Sequence, residues 1–159
     1  MPSGLVIYYS RSGNTKQMAE TIAGAMNDAQ LPTKCKSVTD TKVDDMLAAD
    51  AVVVGSPTYY GRMAAPVAQF FDDSVKKHGK LDGKIGAAFS SSANIGGGNE
   101  TTIEGIINMM LIHGMIVQGD PQGDHYGPVS IGKPDNRVTE QCQRRGRRIA
   151  ELTKRLFET

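Results

Sequence analysis

The sequence contains no tryptophan, only two cysteines, and no apolar run long enough to cross a membrane. Cys35 and Cys142 belong to no CxxC motif and no His/Cys cluster, so we expect free thiols in a reducing cytoplasm. This spacing argues against a disulfide framework and a zinc site, and no metal is predicted. The N-terminus also lacks the basic-then-apolar pattern of a secretory signal.

Neither positive nor negative residues are in clear excess. The 18 Lys and Arg residues nearly balance the 17 Asp and Glu residues, which leaves a net charge of +1. This balance argues against a nucleic-acid-binding surface and against a strongly acidic docking surface. A length of 159 residues with 39% hydrophobic content predicts one soluble globular domain spanning 1–159.

Short apolar segments alternate with segments of helical periodicity along the chain. Strands are predicted at residues 5–9, 33–38, 50–55, 84–90 and 115–117. Helices are predicted at residues 13–29, 44–48, 67–75, 100–113 and 138–157, and an irregular excursion at 119–135. Such alternation predicts an α/β fold of three layers, in which helices cover both faces of a five-stranded, mainly parallel sheet.

The first predicted strand runs directly into the turn Ser10-Arg-Ser-Gly-Asn-Thr15, and a helix follows. Unpaired N–H groups and the positive end of the macrodipole at a helix N-terminus favour a phosphate. The turn lacks the Gly-Lys-Ser/Thr ending of a nucleoside-triphosphate loop, which favours a singly esterified phosphate. A plain capped turn is the alternative interpretation.

Two more loops follow predicted strands and share the same edge of the sheet. Tyr59 and Tyr60 offer aromatic faces on which a flat ligand can stack, and the glycines at 96–98 expose backbone polar groups. A simple turn and a flexible linker are the respective alternatives. Taken together, the three loops predict a site for a mononucleotide with a planar ring, where parallel strands end.

The turn at 10–15 resembles the phosphate loop of flavodoxins. The run Gly-Ser-Pro-Thr-Tyr-Tyr-Gly-Arg-Met at 55–63, the segment 89–101, His113-Gly-Met and the segment 126–132 resemble the tryptophan-repressor-binding-protein type of NAD(P)H:quinone oxidoreductase more closely. This resemblance implies a flavodoxin-like fold with strand order 2-1-3-4-5 and bound FMN. It also implies NAD(P)H and a quinone as reactants, and assembly into a homo-oligomer, either a dimer or a tetramer.

The resemblance and the three loops together assign the candidate cofactor-binding residues. These are Ser10, Arg11, Ser12, Gly13, Asn14, Thr15, Pro57, Thr58, Tyr59, Tyr60, Gly61, Ser91, Ser92, Ala93, Asn94, Gly96 and Gly97. His113 is the one catalytic candidate. Ile112 occupies the position of the family's active-site histidine, and placement at a helix C-terminus is an alternative explanation for His113.

Two functions remain open on the sequence. In the first, FMN accepts hydride from NAD(P)H and passes electrons to a quinone, a reaction whose chemistry the cofactor supplies. In the second, the protein is a flavodoxin-type electron carrier, for which we expect a strongly acidic surface. The final predicted helix carries many basic residues, and they predict a solvated face: Arg144, Arg145, Arg147, Arg148, Lys154 and Arg155.

Overall fold

The computed structural model describes residues 1–158. Its strands are β1 Gly4–Tyr8, β2 Thr33–Ser37, β3 Ala51–Tyr59, β4 Arg62–Met63, β5 Ile85–Ser92, β6 Ile116–Val117 and β7 Val129–Ile131. Its α-helices are α1 Asn14–Asp28, α2 Val43–Ala48, α3 Ala65–Asp73, α4 Asn99–Ile112 and α5 Asn136–Phe157. Short 3-10 turns at Val38–Asp40 and Ser74–Lys77 precede α2 and follow α3. Within the described residues, no helix is long and apolar enough to cross a membrane.

The main sheet has the strand order β2-β1-β3-β5-β6, and all of these neighbours pair in parallel. With β5 and β6 as its fourth and fifth strands, the sheet confirms the predicted order 2-1-3-4-5. The order reverses between β1 and β3, so the loops that follow these two strands diverge to opposite faces. A ligand-binding crevice is expected where they separate.

Two separate cores cover the two faces of the sheet. Alternate residues of β3 belong to different cores: Val52 and Val54 pack with α3 and α4, whereas Ala51 and Val53 pack with α1 and α5. Because both faces are buried, the central strands are continuous apolar runs. Polar side chains are therefore confined to the ends of these strands.

The structure differs from the sequence prediction at two strands. β3 continues beyond residue 55 to Tyr59 and folds back into β4, so part of the predicted loop is a β-hairpin. The predicted excursion contains β7, which pairs with Ser90–Ser92 while β6 pairs with Ile85–Gly86. The fifth strand position is thus divided between β6 and β7 by an insertion at residues 118–128.

Arginines of α5 hold this insertion against the domain. Arg145 is only 3% exposed and donates hydrogen bonds to the carbonyl oxygens of Gln118 and Asp124. Arg144 binds both carboxylate oxygens of Asp120, at 2.8 and 2.9 Å. The solvated basic face predicted for α5 is therefore wrong at Arg145, because the insertion covers it, while Arg144 stays partly exposed and is ion-paired.

The ion pair between Asp120 and Arg144 makes the stability of the fold depend on pH. The hydrogen bonds with Arg144 outweigh burial and lower the pKa of the Asp120 carboxylate from 3.8 to about 2. The unfolded chain binds more protons between these values, so this stabilisation is complete above pH 4 and is lost as the pH falls towards 2. We expect Asp120→Asn to remove about 2 kcal/mol of stability at pH 7 and to flatten this pH dependence.

Urea unfolding followed by circular dichroism at pH 7, 4, 3 and 2 measures both effects. Asp28→Asn, a change at an exposed carboxylate of α1, is the control. A wild-type pH dependence in Asp120→Asn would refute the role given to this ion pair.

Candidate functional site

A cleft of about 450 Å³ lies where β1, β3 and β5 end. It is lined by Arg11, Ser12, Asn14, Thr15, Pro57, Thr58, Tyr59, Ser91, Ser92, Ala93 and Gly132. The structure thus brings most of the candidate cofactor-binding residues together in one crevice, at the reversal of strand order. Ser10, Gly13, Tyr60, Gly61, Asn94, Gly96 and Gly97 belong to the same loops but do not line this cavity.

At one end of the cleft is the N-terminus of α1. Gly13 precedes the helix with a φ of 98°, which a residue with a side chain rarely adopts, and no side chain caps the helix. The Ser10 hydroxyl instead accepts a hydrogen bond from the Gly13 N–H at 3.0 Å, which closes the turn on itself. The N–H groups of the first turn of α1 are therefore available to an anion.

Thr15 connects this turn to the end of β5. It is only 1% exposed, and its Oγ1 lies 2.9 Å from the Oγ of Ser91. Ser91 is in turn one of the residues that line the cleft. The hydroxyl pair fixes the start of α1 relative to the sheet and leaves acceptor and donor capacity at the cleft.

The β3–β4 hairpin forms the aromatic wall. Its two-residue turn consists of Tyr60 and Gly61, whose φ values of 53° and 73° are those of a type I′ turn. Tyr59 lines the cleft, and the Arg11 guanidinium lies 5.0 Å from the centre of its ring. Tyr60 is fully exposed, so the structure assigns the wall to Tyr59 and places Tyr60 at the hairpin tip.

The loop that follows β5 is closed by its own polar groups. The Ser92 hydroxyl donates to the carbonyl of Asn94 at 3.0 Å, and the Gly97 N–H donates to the same carbonyl at 3.1 Å. Asn99, the first residue of α4, donates from its side chain to Ser92. The glycines at 96–98 therefore belong to a folded loop, not to a flexible linker.

A chain of buried hydroxyl groups lies beneath the cleft, and sequence reasoning did not anticipate it. The Ser90 hydroxyl donates to the carbonyl of Ser56, and the Thr58 hydroxyl lies 3.0 Å from that of Ser90. Thr102, in the first turn of α4, contacts the Thr58 hydroxyl at 3.3 Å. Hydroxyl residues at the carboxyl ends of otherwise apolar strands are the signal that could have revealed this network.

His113 lies far from the cleft. It directly follows α4, whose 14 residues extend about 21 Å from their start at the cleft loop. The Ser74 hydroxyl donates to the carbonyl of Phe71 and accepts from His113 Nε2, which lies 2.7 Å away. Burial and the nearby His78 lower the pKa of His113. The structure therefore does not bring this catalytic candidate to the site.

The cleft offers no constellation for metal or nucleophilic catalysis within residues 1–158. No three His, Cys, Asp or Glu side chains of this part of the chain converge on a possible metal position. Burial raises the pKa of Cys142 to about 12 and that of Cys35 to about 11, so neither thiol is activated. The groups that do converge are hydroxyls, helix N–H groups and one aromatic ring, which suit a phosphorylated planar ligand.

Comparison with known proteins identifies the family of this chain. The family model of the flavodoxin domain matches residues 5–103. A flavodoxin of Aquifex aeolicus (strain VF5) is 43% identical over 156 residues, which cover 92% of this chain and 84% of that protein. An NAD(P)H dehydrogenase (quinone) of Gluconacetobacter diazotrophicus is 34% identical over 185 residues, which cover 94% of this chain and 93% of that protein.

Solved structures extend the similarity to three dimensions. A flavodoxin from the domain Archaea superposes with a TM-score of 0.80 at 34% identity, covering 96% of this chain and 99% of that one. A WrbA-like flavodoxin from Agrobacterium tumefaciens, at 23% identity, shares the fold with a TM-score of 0.83 and covers 98% of this chain and 99% of that one. The chain belongs to the flavodoxin family, and FMN is the cofactor that this membership implies.

Proposed function

We propose that this protein is an FMN-dependent oxidoreductase that transfers electrons from NAD(P)H to quinones or similar acceptors. The charge of the segments around the cleft carries the proposal. Residues 10–15, 56–63, 90–100 and 130–133 contain three cations, Arg11, Arg62 and Lys133, and one acid, Glu100. A cationic rim favours an anionic electron donor such as a pyridine dinucleotide.

Relatives support each of two candidate functions. Several proteins named NAD(P)H dehydrogenase (quinone) are similar to nearly the whole chain, including one from Archaeoglobus fulgidus at 29% identity. The Aquifex relative, at 43% identity, is named a flavodoxin and favours the alternative of an electron carrier. The cationic rim supports the enzyme, because the carrier function predicts an acidic docking surface.

The residues that would hold FMN follow from the geometry of the cleft. The N–H groups at the start of α1, together with the hydroxyls of Ser12 and Thr15, would bind the phosphate. Tyr59 would pack against the flavin ring, and the loop at 91–94 would contact the ring edge with its backbone. FMN supplies the redox chemistry, while the protein binds it, orients it and leaves one side of the cleft open to reactants.

We further propose that the protein acts in the cytoplasm as a homo-oligomer, with its insertion at the subunit contact. Tyr126 of the insertion and Ile131 of β7 are large apolar side chains that are 51% and 42% exposed, and Ile131 directly precedes the cleft-lining Gly132. A second subunit would bury them and add a wall to the open cleft. Light scattering at micromolar concentration tests this assembly, and a monomer at that concentration would contradict it.

Thr15→Ala tests the phosphate end of the cleft. Removing the hydroxyl takes away the bond to Ser91 and one hydrogen bond to a charged phosphate, which is worth about 1.5–3 kcal/mol. We expect the dissociation constant of FMN to rise by about one to two orders of magnitude, with a much smaller effect on riboflavin, which has no phosphate. Fluorescence titration of the apoprotein measures both constants. An equal effect on the two ligands would contradict the phosphate contact.

Tyr59→Ala and Tyr60→Ala form a matched pair on one hairpin. We expect Tyr59→Ala to weaken flavin binding several-fold and to reduce the quenching of flavin fluorescence, because it removes the aromatic wall. Tyr60→Ala removes an exposed ring and should have little effect. If Tyr60→Ala alone restores flavin fluorescence, the assignment of the wall to Tyr59 is wrong.

Stopped-flow reduction of the FMN-loaded protein by NADH and by NADPH tests the proposed activity, with benzoquinone as the acceptor for turnover. We expect rapid reduction by at least one dinucleotide and a several-fold rise in its KM in Lys133→Glu, because that change adds repulsion at the rim. Arg147→Glu, on the exposed side of α5, is the control for the same change in charge. Negligible reduction by both dinucleotides, with rapid cycling through a separate reductase, would identify a carrier.

A further inference from the structure

The turn of the β3–β4 hairpin touches the start of α4 at an unusually close backbone contact. A Cβ atom added to Gly98, the residue before α4, would lie 2.6 Å from the Cα of Gly61. Gly98 also has a φ of 99°, so both its space and its conformation require glycine. Two loops that flank the cleft therefore meet backbone to backbone.

One side chain connects the two loops at this contact. The hydroxyl of Thr101, in the first turn of α4, lies 2.6 Å from the carbonyl oxygen of Gly61 and 2.9 Å from that of Gly98. The bond to Gly98 is local to the helix start, but the bond to Gly61 spans 40 residues of sequence. Capping of the helix start would need only the bond to Gly98, so the bond to Gly61 serves the contact between the two loops.

The hairpin requires such a support. Its turn places Tyr60 at a φ of 53°, a left-handed conformation that is unfavourable for a residue with a side chain. The Tyr60 side chain is fully exposed, so its packing does not offset this strain. Hydrogen bonds of Thr58 to β5 and α4 anchor the base of the hairpin, and the contacts of Gly61 with α4 support its tip, next to Tyr59.

We infer that Thr101 is a positioning residue for the flavin: its hydroxyl fixes the Tyr60–Gly61 turn against α4 and thereby sets the place of the Tyr59 wall. Thr101 does not line the cleft and acts only through the hairpin. The inference rests on the proposed packing of the flavin ring against Tyr59. It predicts that Thr101 affects binding of the ring and has no effect on binding of the phosphate.

Three variants test this role. Thr101→Val keeps the shape of the side chain and removes the hydroxyl, Thr101→Ser retains the hydroxyl, and Thr139→Val is the matched control. Thr139 lies in the first turn of α5 and donates only to the carbonyl of Asp135, four residues earlier. In Thr101→Val we expect the dissociation constants of FMN and riboflavin to rise by the same factor, about three- to tenfold, the factor for one neutral hydrogen bond. Thr101→Ser should restore both, and Thr139→Val should change neither.

Hydrogen exchange of the apoprotein provides a readout that needs no flavin or turnover. We expect the amides of residues 60–63 to exchange several-fold faster in Thr101→Val than in the wild type, while those of β1 and β3 up to residue 55 keep their rates. Unchanged exchange at 60–63, or weaker binding of FMN without weaker binding of riboflavin, would overturn the inference. A failure of NAD(P)H turnover would refute the proposed enzyme and leave this result unaffected.

Discussion

Phe89 occupies the space beside Gly55, and the placement of the site depends on this contact. The two residues are register partners in β5 and β3, and any side chain at position 55 would overlap the Phe89 ring. The next register pair is Ser56 and Ser90, both fully buried. The core on the α1–α5 face thus ends with an aromatic ring, and the next register pair, which points to the opposite face, begins a layer of hydroxyls beside α4.

This boundary determines what the cleft can contain. Buried polar groups need hydrogen-bond partners, and the hydroxyls above the core find them in one another and in the strand carbonyls. They therefore build a polar floor that carries no charge. The positive potential comes instead from the N-terminus of α1 and from Arg11 at the edge of the cleft.

Periodicity and the ends of the apolar runs predicted a mainly parallel sheet and the loops around the cleft. The strand order and the full set of candidate cofactor-binding residues depended also on the resemblance to flavodoxin-like proteins. The sequence could not predict the β3–β4 hairpin, since Ser56, Pro57 and Thr58 lack the usual composition of a strand and are ordered by bonds to β5 and α4. It could not separate Tyr59 from Tyr60 either. Adjacent tyrosines are equivalent in composition, and only the turn geometry exposes one of them.

The sequence could not predict the burial of Arg145 on α5 for a related reason. Basic residues on an amphipathic helix are normally solvated, and helical spacing cannot show that an insertion folds over them. Asp120 and the carbonyl groups of the insertion satisfy two arginines of α5, so that Arg145 is buried and Arg144 is held in an ion pair while partly exposed. Thr101 was missed because its partner, Gly61, is distant in sequence and adjacent only after folding.

A carrier and a quinone reductase can share this cleft, because in both the flavin performs the redox step. What separates them is the surface that a reactant encounters first. In this chain Asp120 of the insertion pairs with Arg144, whereas Arg11, Arg62 and Lys133 belong to the segments beside the cleft. Positive charge therefore lies beside the cleft as well as on the exposed side of α5, where Arg147 is located. Under the proposed function, the charge beside the cleft would suit a small anionic donor better than a basic protein partner.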